Sequence, residues 1–218
     1  QMICNISRKA FKEIYDLMDI KLVDRGESFY NPYLPEVVAD LEKRGLITVS
    51  DGAKCIYLEG YVGRDETPLP VIIQKSDGGY NYATTDMAAV RHRIEVEKVD
   101  RIIIVTDAGQ ALHFEMVFKA AAKAGYWDPS KVRIDHVPFG VVLGPDGKKF
   151  KTRSGDTEKL IALLLQAGTH AEKILKERLP ELSETELRHT ATILGIDAVK
   201  YADLSSHRIK DYSFSYDR

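Results

Sequence analysis

Apolar residues recur at helical spacing in the opening stretch, where Phe11, Ile14, Tyr15 and Met18 follow Ser7. The spacing predicts a packing helix that starts at a Ser7 cap and ends before Ile20. A second helix is expected from about Pro35 through Val37, Val38 and Leu41 to a stop at Gly45, with Leu46-Ile47-Thr48-Val49 as a strand. Asp51-Gly52 then turns the chain into a strand at Cys55-Ile56-Tyr57-Leu58. The run from Gly60 to Pro68 reads as a loop, and Pro70-Val71-Ile72-Ile73-Gln74 as another strand, closed by Ser76-Asp77-Gly78-Gly79. The first eighty residues are therefore expected to form helices followed by a small sheet.

Beyond residue 80 the pattern changes to strands alternating with helices. Tyr82-Ala-Thr-Thr-Asp86 reads as an aromatic strand end feeding a helix, with Thr84 or Thr85 as its cap and Met87, Val90 and Ile94 along it. Arg101-Ile-Ile-Ile-Val105 is a continuous apolar run between helices, which predicts a strand buried on both faces of a parallel sheet. Phe114, Val117, Phe118 and Ala121 form the inner stripe of the next helix, which stops at Gly125, and Trp127 in the following loop is expected to cover the sheet edge. Lys131–Val137 gives a second sheet strand, and Val141-Val142-Leu143 a short strand opening a hairpin at Gly144-Pro145-Asp146-Gly147. A helix opens near Asp156-Thr157, runs through Leu160, Ile161 and Leu163 to Leu165, is interrupted near Gly168 and resumes with Ile174 and Leu175. Ser183-Glu-Thr-Glu186 is a capping box for a last helix through Leu187, Ile193 and Leu194 toward Tyr201. The fold class expected is α/β.

Composition narrows this picture. At 218 residues and 44% hydrophobic content the chain can supply a real core. The formal net charge of −2 argues against a nucleic-acid module driven by bulk electrostatics. Cys4 and Cys55 fit no metal spacing, so free thiols in a reducing compartment are expected and no metal site is. With neither a membrane-length apolar run nor a signal-peptide pattern, the expected location is cytoplasmic. The start at Gln1 suggests a fragment.

Candidate chemistry concentrates in three places. The first is the arm from Phe139 to Thr157, where Lys148, Lys149, Lys151 and Arg153 bring cations beside the hydroxyls of Thr152 and Ser154, and Gly155 permits close backbone approach. An arbitrary basic run is ordinarily solvated surface, yet this one is built to hold phosphates. The second is Tyr82 with Asp86, which on its own reads as a packed ring and a first-turn carboxylate favoured by the helix dipole. The third is Thr106-Asp107-Ala-Gly-Gln110 with His113, at the carboxyl end of the predicted parallel strand, where open α/β sheets bind ligands. Taken singly, Gln110 reads as a loop-backbone partner and His113 as a hydrogen-bonded structural histidine.

These residues, in this order, resemble arginyl-tRNA synthetases of class I. Phe150-Lys-Thr-Arg-Ser-Gly155, after GVVLG-x-DG, is similar to the form that the KMSKS signature takes in that family, with Thr152, Arg153 and Ser154 at its last three positions. Phe150 stands where the first lysine would be, and the resemblance implies that an upstream lysine, Lys149 or Lys148, replaces it. Y-x-T-x-D at Tyr82 to Asp86 looks like the family's arginine-binding motif, and D-x-x-Q-x-x-H-F at Asp107 to Phe114 its companion. The resemblance implies an arginine site of Tyr82, Asp86 and Gln110. It implies an ATP site of His113, His136, Phe139, Thr152 and Ser154, and catalytic cations at Lys149, Lys151 and Arg153. It further implies the second half of a Rossmann-like catalytic domain, with residues 1–80 an insertion, 81–158 the nucleotide-binding half with its arm, and 159–218 helices leading to an anticodon-binding domain. The expected substrates are L-arginine, ATP as its Mg²⁺ complex and tRNA(Arg), with the remainder of a synthetase chain as partner and no membrane. No H-x-G-H stretch, the other half of the class I nucleotide site, occurs in the sequence. The chain alone is therefore expected to be nearly inert. The competing expectation is a non-catalytic arginine- or nucleotide-binding fragment or a structural one, and the absence of GxGxxG and P-loop glycines argues against other nucleotide-binding proteins.

Overall fold

The computed structural model describes residues 2–144, 147 and 160–213. Along the chain run helix α1 (Met2–Leu17), a 3-10 turn (Glu27–Tyr33), α2 (Leu34–Lys43), and strands β1 (Thr48–Ser50), β2 (Ala53–Val62) and β3 (Pro68–Gln74). Then follow α3 (Tyr82–Glu95), β4 (Arg101–Asp107), α4 (Ala111–Lys123), β5 (Arg133–Phe139), β6 (Val142–Leu143), α5 (Leu160–Arg178), α6 (Glu184–Ser205) and β7 (Tyr212–Ser213). These elements group into two compact units, Asp24–Phe139 and Gln1–Val23 with Gly140–Arg218. The expected α/β class holds: a small antiparallel α+β region precedes a parallel strand pair, and helices follow.

Within Asp24–Phe139, β1, β2 and β3 form an antiparallel sheet, turned between β1 and β2 by Asp51 and Gly52, both at positive φ (49° and 77°) as a two-residue hairpin needs. β2 runs on to Val62, into the stretch expected as a loop, because Gly60 takes φ 84° and the register shifts between Tyr57 and Val62 instead of ending. β4 and β5 pair in parallel, from Arg101 opposite Arg133 to Asp107 opposite Phe139. α4 packs against β2, β3 and β5, so one core serves both sheets, with Leu41, Ile56, Ile73, Met87 and Val117 essentially sealed from water. Each such side chain contributes roughly 1.5–3 kcal/mol. α2 is tied to the end of α4 by polar contacts: Tyr126 Oη donates to Asp40 at 2.6 Å, and Arg44 donates to Asp40 and to the Ala124 carbonyl. Burial pushes the Tyr126 phenol up, and the Asp40 carboxylate adds to the shift.

The expectation that β4 is buried on both faces fails. Ile102 is 5% exposed, but Ile103 and Val105 are 54% and 61% exposed. Alternate side chains of a strand face opposite ways, and here α3 and α4 supply apolar cover to only one face. On the open face Asp135 accepts from both Arg101 and Arg133, and those hydrogen bonds hold its carboxyl below the usual range.

In the second unit α1 begins at Met2, five residues before the expected Ser7 cap, since Ile3 and Ile6 extend the helical spacing upstream. It was expected as a packing helix, yet it contains no buried residue. α5 is continuous through Gly168, correcting the predicted interruption. The reason is a helix crossing: Gly168 and Gly195 let the backbones of α5 and α6 approach closely, and a Cβ on Gly195 would meet Gly168 N at 2.5 Å. The capping box is present as read, with Glu186 N donating to Ser183 Oγ and Ser183 N to Glu186 Oε2 at 3.1 Å. Ser183→Ala is expected to destabilise α6 by ~1 kcal/mol, read as faster amide exchange in its first turn.

The chain then returns to the strand before the basic arm. β7 pairs in parallel with β6, Val142 opposite Tyr212 and Leu143 opposite Ser213, so among the described residues β6 finds its partner in the tail. Gly140 N donates to Arg208 O, Val141 N to Asp211 Oδ1 and Tyr212 N to Val141 O. Tyr212 Oη donates to Asp203 at 3.0 Å. Asp211 and Tyr212 are thus both paired. Phe214 lies outside the described residues. Gly147 N donates to Gly144 O at 2.9 Å with Gly147 at φ 70°, which closes the predicted turn.

Candidate functional site

Two clefts meet at the start of α3. Its cap is Asn81, whose side chain accepts from Tyr82 N at 2.9 Å, and not Thr84 or Thr85 as expected. Those threonines lie inside the first turn and are buried, with Thr84 Oγ1 donating to the carbonyl of Ile73 and so pinning the helix to β3. Asparagine ranks with the best N-cap residues, so the signal was present in the sequence one position before Tyr82. The first cleft, of about 170 Å³, is lined by Pro70, Ile72, Tyr82, His113 and Met116 among others. A wider second cleft of about 610 Å³ includes Glu27, Lys75, Tyr80, Tyr82 and Thr85. Asn81 and Tyr82 belong to both. Tyr82, 68% exposed, therefore stands between them as an open aromatic surface.

One turn further along α3, Asp86 meets His113 of α4: Nε2 lies 2.6 Å from Oδ2, and each side chain is one-third exposed. His113 sets its ring edge against buried Phe114 (centroids 5.1 Å apart, 74°), and Phe114 in turn lies 5.2 Å from the ring of His136. His136, on β5, shares a 2.7 Å hydrogen bond with Thr106 Oγ1 of β4. A line of contacts thus runs from the Asp86 carboxylate to the carboxyl end of the parallel strands. At that end Asp107 accepts from Gly109 N and from Gln110 Nε2, both at 2.9 Å, which fixes the loop and holds the exposed Gln110 amide in place. Phe139 closes β5 opposite Asp107 and is 41% exposed.

The structure therefore brings Tyr82 and His113 to one cleft, joins Asp86 to it through His113, and ties His113 to His136 through Phe114. Gln110 is held by Asp107 and not by these residues. The cleft residues Glu27 and Lys75 carried no sequence signal, since neither belongs to a periodic run or a motif. Lys149, Lys151, Thr152, Arg153 and Ser154, with Lys148 and Gly155, lie outside the described residues.

The model of the family "tRNA synthetases class I (R), catalytic domain" matches residues 1–216. This chain belongs to that family. It is 66% identical over 218 residues to the arginine–tRNA ligase of Protochlamydia amoebophila and 57% identical over 222 residues to that of Nostoc punctiforme. Each of these alignments covers 100% of the chain but only 37% and 38% of those relatives, so the synthetase chain spans well under half their length. Among solved structures, arginyl-tRNA synthetase of Plasmodium falciparum superimposes with a TM-score of 0.83 at 35% identity, over 98% of this chain and 35% of that one. The Thermus thermophilus enzyme shares the fold, at a TM-score of 0.67 and 19% identity. The Rossmann-like reading of the synthetase fold is thereby met. Among the described residues no helix is long and apolar enough to cross a membrane.

Proposed function

We propose that this synthetase chain carries the amino-acid pocket and the phosphate-handling arm of an arginine–tRNA ligase. The observation that carries the reading is the part-exposed Asp86 carboxylate, with one oxygen taken by His113, on the helix that Tyr82 opens at the cleft. A guanidinium is a planar, always-charged fork of donors, and an oriented carboxylate beside an aromatic face is its natural partner. Gln110, at the carboxyl edge of the parallel strands, adds an amide on the same side of the reaction. The ATP half of the site draws on His113, His136 and Phe139 and on Thr152 and Ser154 of the arm.

In the reaction proposed, the carboxylate of arginine attacks the α-phosphate of ATP, forming arginyl-adenylate and releasing pyrophosphate. A ribose hydroxyl at the end of tRNA(Arg) then takes the arginyl group. Catalysis of this kind is mainly positioning and charge stabilisation, so Lys149 or Lys148, with Lys151 and Arg153, neutralise the departing pyrophosphate beside the Mg²⁺ that arrives with ATP. Within the longer enzyme, residues 1–80 are the insertion, 81–158 the nucleotide-binding half and 159–218 the helical lead to the anticodon-binding part. Translation in the cytoplasm is the setting this activity implies.

Titration calorimetry with arginine, lysine and citrulline on the full-length synthetase carrying this chain tests the reading. Selective arginine binding supports it; equal affinity for citrulline, which is uncharged, would sink it. The 218-residue chain on its own, having no H-x-G-H stretch, is expected to give no measurable aminoacylation, and robust arginylation by it would contradict the assignment of the missing nucleotide-site half.

A further inference from the structure

Asp86 and His113 come from different helices, and their pairing is a tertiary fact that neither motif states alone. A carboxylate carries no proton to give, so in the 2.6 Å contact the imidazole Nε2–H donates and Oδ2 of Asp86 accepts. Oδ1 has no protein partner among the described residues. The donor is itself held in place, its ring edge-on against Phe114, which is 6% exposed and part of the core. His113 also lines the cleft beside Tyr82, whereas its Nε2 is already committed to Asp86.

We infer that His113 is a positioning residue for arginine: it locks the Asp86 carboxylate in one rotamer, so that Oδ1 meets the guanidinium fork squarely, and it thereby sets the preference for arginine over lysine. This rests on the arginine-pocket reading above and gives His113 a task in the amino-acid half of the site, besides any contact with the nucleotide. The physical ground is the difference between the two cations. A guanidinium needs a carboxylate in a fixed plane, while an ammonium is a point charge with three rotatable donors that follows a carboxylate wherever it swings. Loosening Asp86 therefore harms arginine more than lysine.

The test is steady-state aminoacylation by the full-length synthetase, with KM measured separately for arginine and ATP, and lysine inhibition as the selectivity readout. His113→Ala is expected to raise the arginine KM ~10-fold, the size of one charge-assisted hydrogen bond, and to reduce the arginine-to-lysine ratio, whatever it does to the ATP KM. His113→Gln, which keeps a neutral N–H donor, restores most of the loss. On an Asp86→Asn background His113→Ala adds nothing further. Should the alanine protein fail to fold, His113→Phe keeps the ring contact to Phe114, removes the donor and carries the same expectation. A raised ATP KM with an unmoved arginine KM, or additive losses in the double variant, overturns the inference. Loss in Asp86→Asn with no effect of any His113 variant overturns it alone and leaves the arginine pocket standing, whereas a silent Asp86→Asn overturns both.

Discussion

Asp86→Asn in the full-length synthetase lowers arginine affinity by ~100-fold while ATP affinity stays within a factor of about two. The expected size follows from the chemistry of the contact. A hydrogen bond between charged partners contributes ~1.5–3 kcal/mol, and removing the carboxylate also leaves a guanidinium facing an amide, half of which is a donor. Three kilocalories correspond to a little over two decades in Kd, roughly. The one-third exposure of Asp86 keeps the figure at this level and not at the larger losses seen for fully buried pairs. Calorimetry with arginine reads it directly. An arginine affinity unchanged to within threefold would remove Asp86 from the pocket, and with it the main support for the proposed function.

The second large effect is structural and has opposite signs at two glycines that face each other. Gly195→Ala is expected to destabilise the α5–α6 pair by ~2–3 kcal/mol, because its Cβ meets main-chain atoms that cannot rotate away, Gly168 N at 2.5 Å and Ala167 C at 2.7 Å. Gly168→Ala is expected to be neutral or stabilising by up to ~1 kcal/mol, since its Cβ finds nothing nearer than Thr192 Cα at 4.0 Å and alanine is the better helix former. Amide exchange across α5 and α6 in the two variants separates them, the first faster and the second unchanged or slower. If both glycines respond alike, the crossing is not as close as described.

What the sequence made legible was local. The capping box at Ser183, the turn at Asp51-Gly52 and the stops at Gly45 and Gly125 are each decided within a few residues, and each is present. Tyr82, Asp86 and His113 could be named because their chemistry stands in short ordered motifs. The misses share a different cause. Whether Gly168 ends a helix or admits a neighbour depends on Gly195, twenty-seven residues away, and that the tail pairs with β6 depends on residues 212 and 213. The open face at Ile103 and Val105 depends on which helices are at hand to cover it, a matter that an apolar run cannot express. The cap at Asn81 lies one helical turn before Thr84 and Thr85, in a stretch that offers three acceptable caps.

The joint between β6 and β7 has a consequence for how freely the sequence around it can vary over time. Most of its bonds run from main chain to main chain, so residues 142, 143 and 213 can exchange side chains without breaking it. Two positions lack that freedom. Any side chain on Gly140 would press on the Lys210 carbonyl at 2.6 Å, and only a short acceptor at position 211 reaches Val141 N as Asp211 does. Drift along this joint is therefore expected to be wide at its strands and narrow at those two residues.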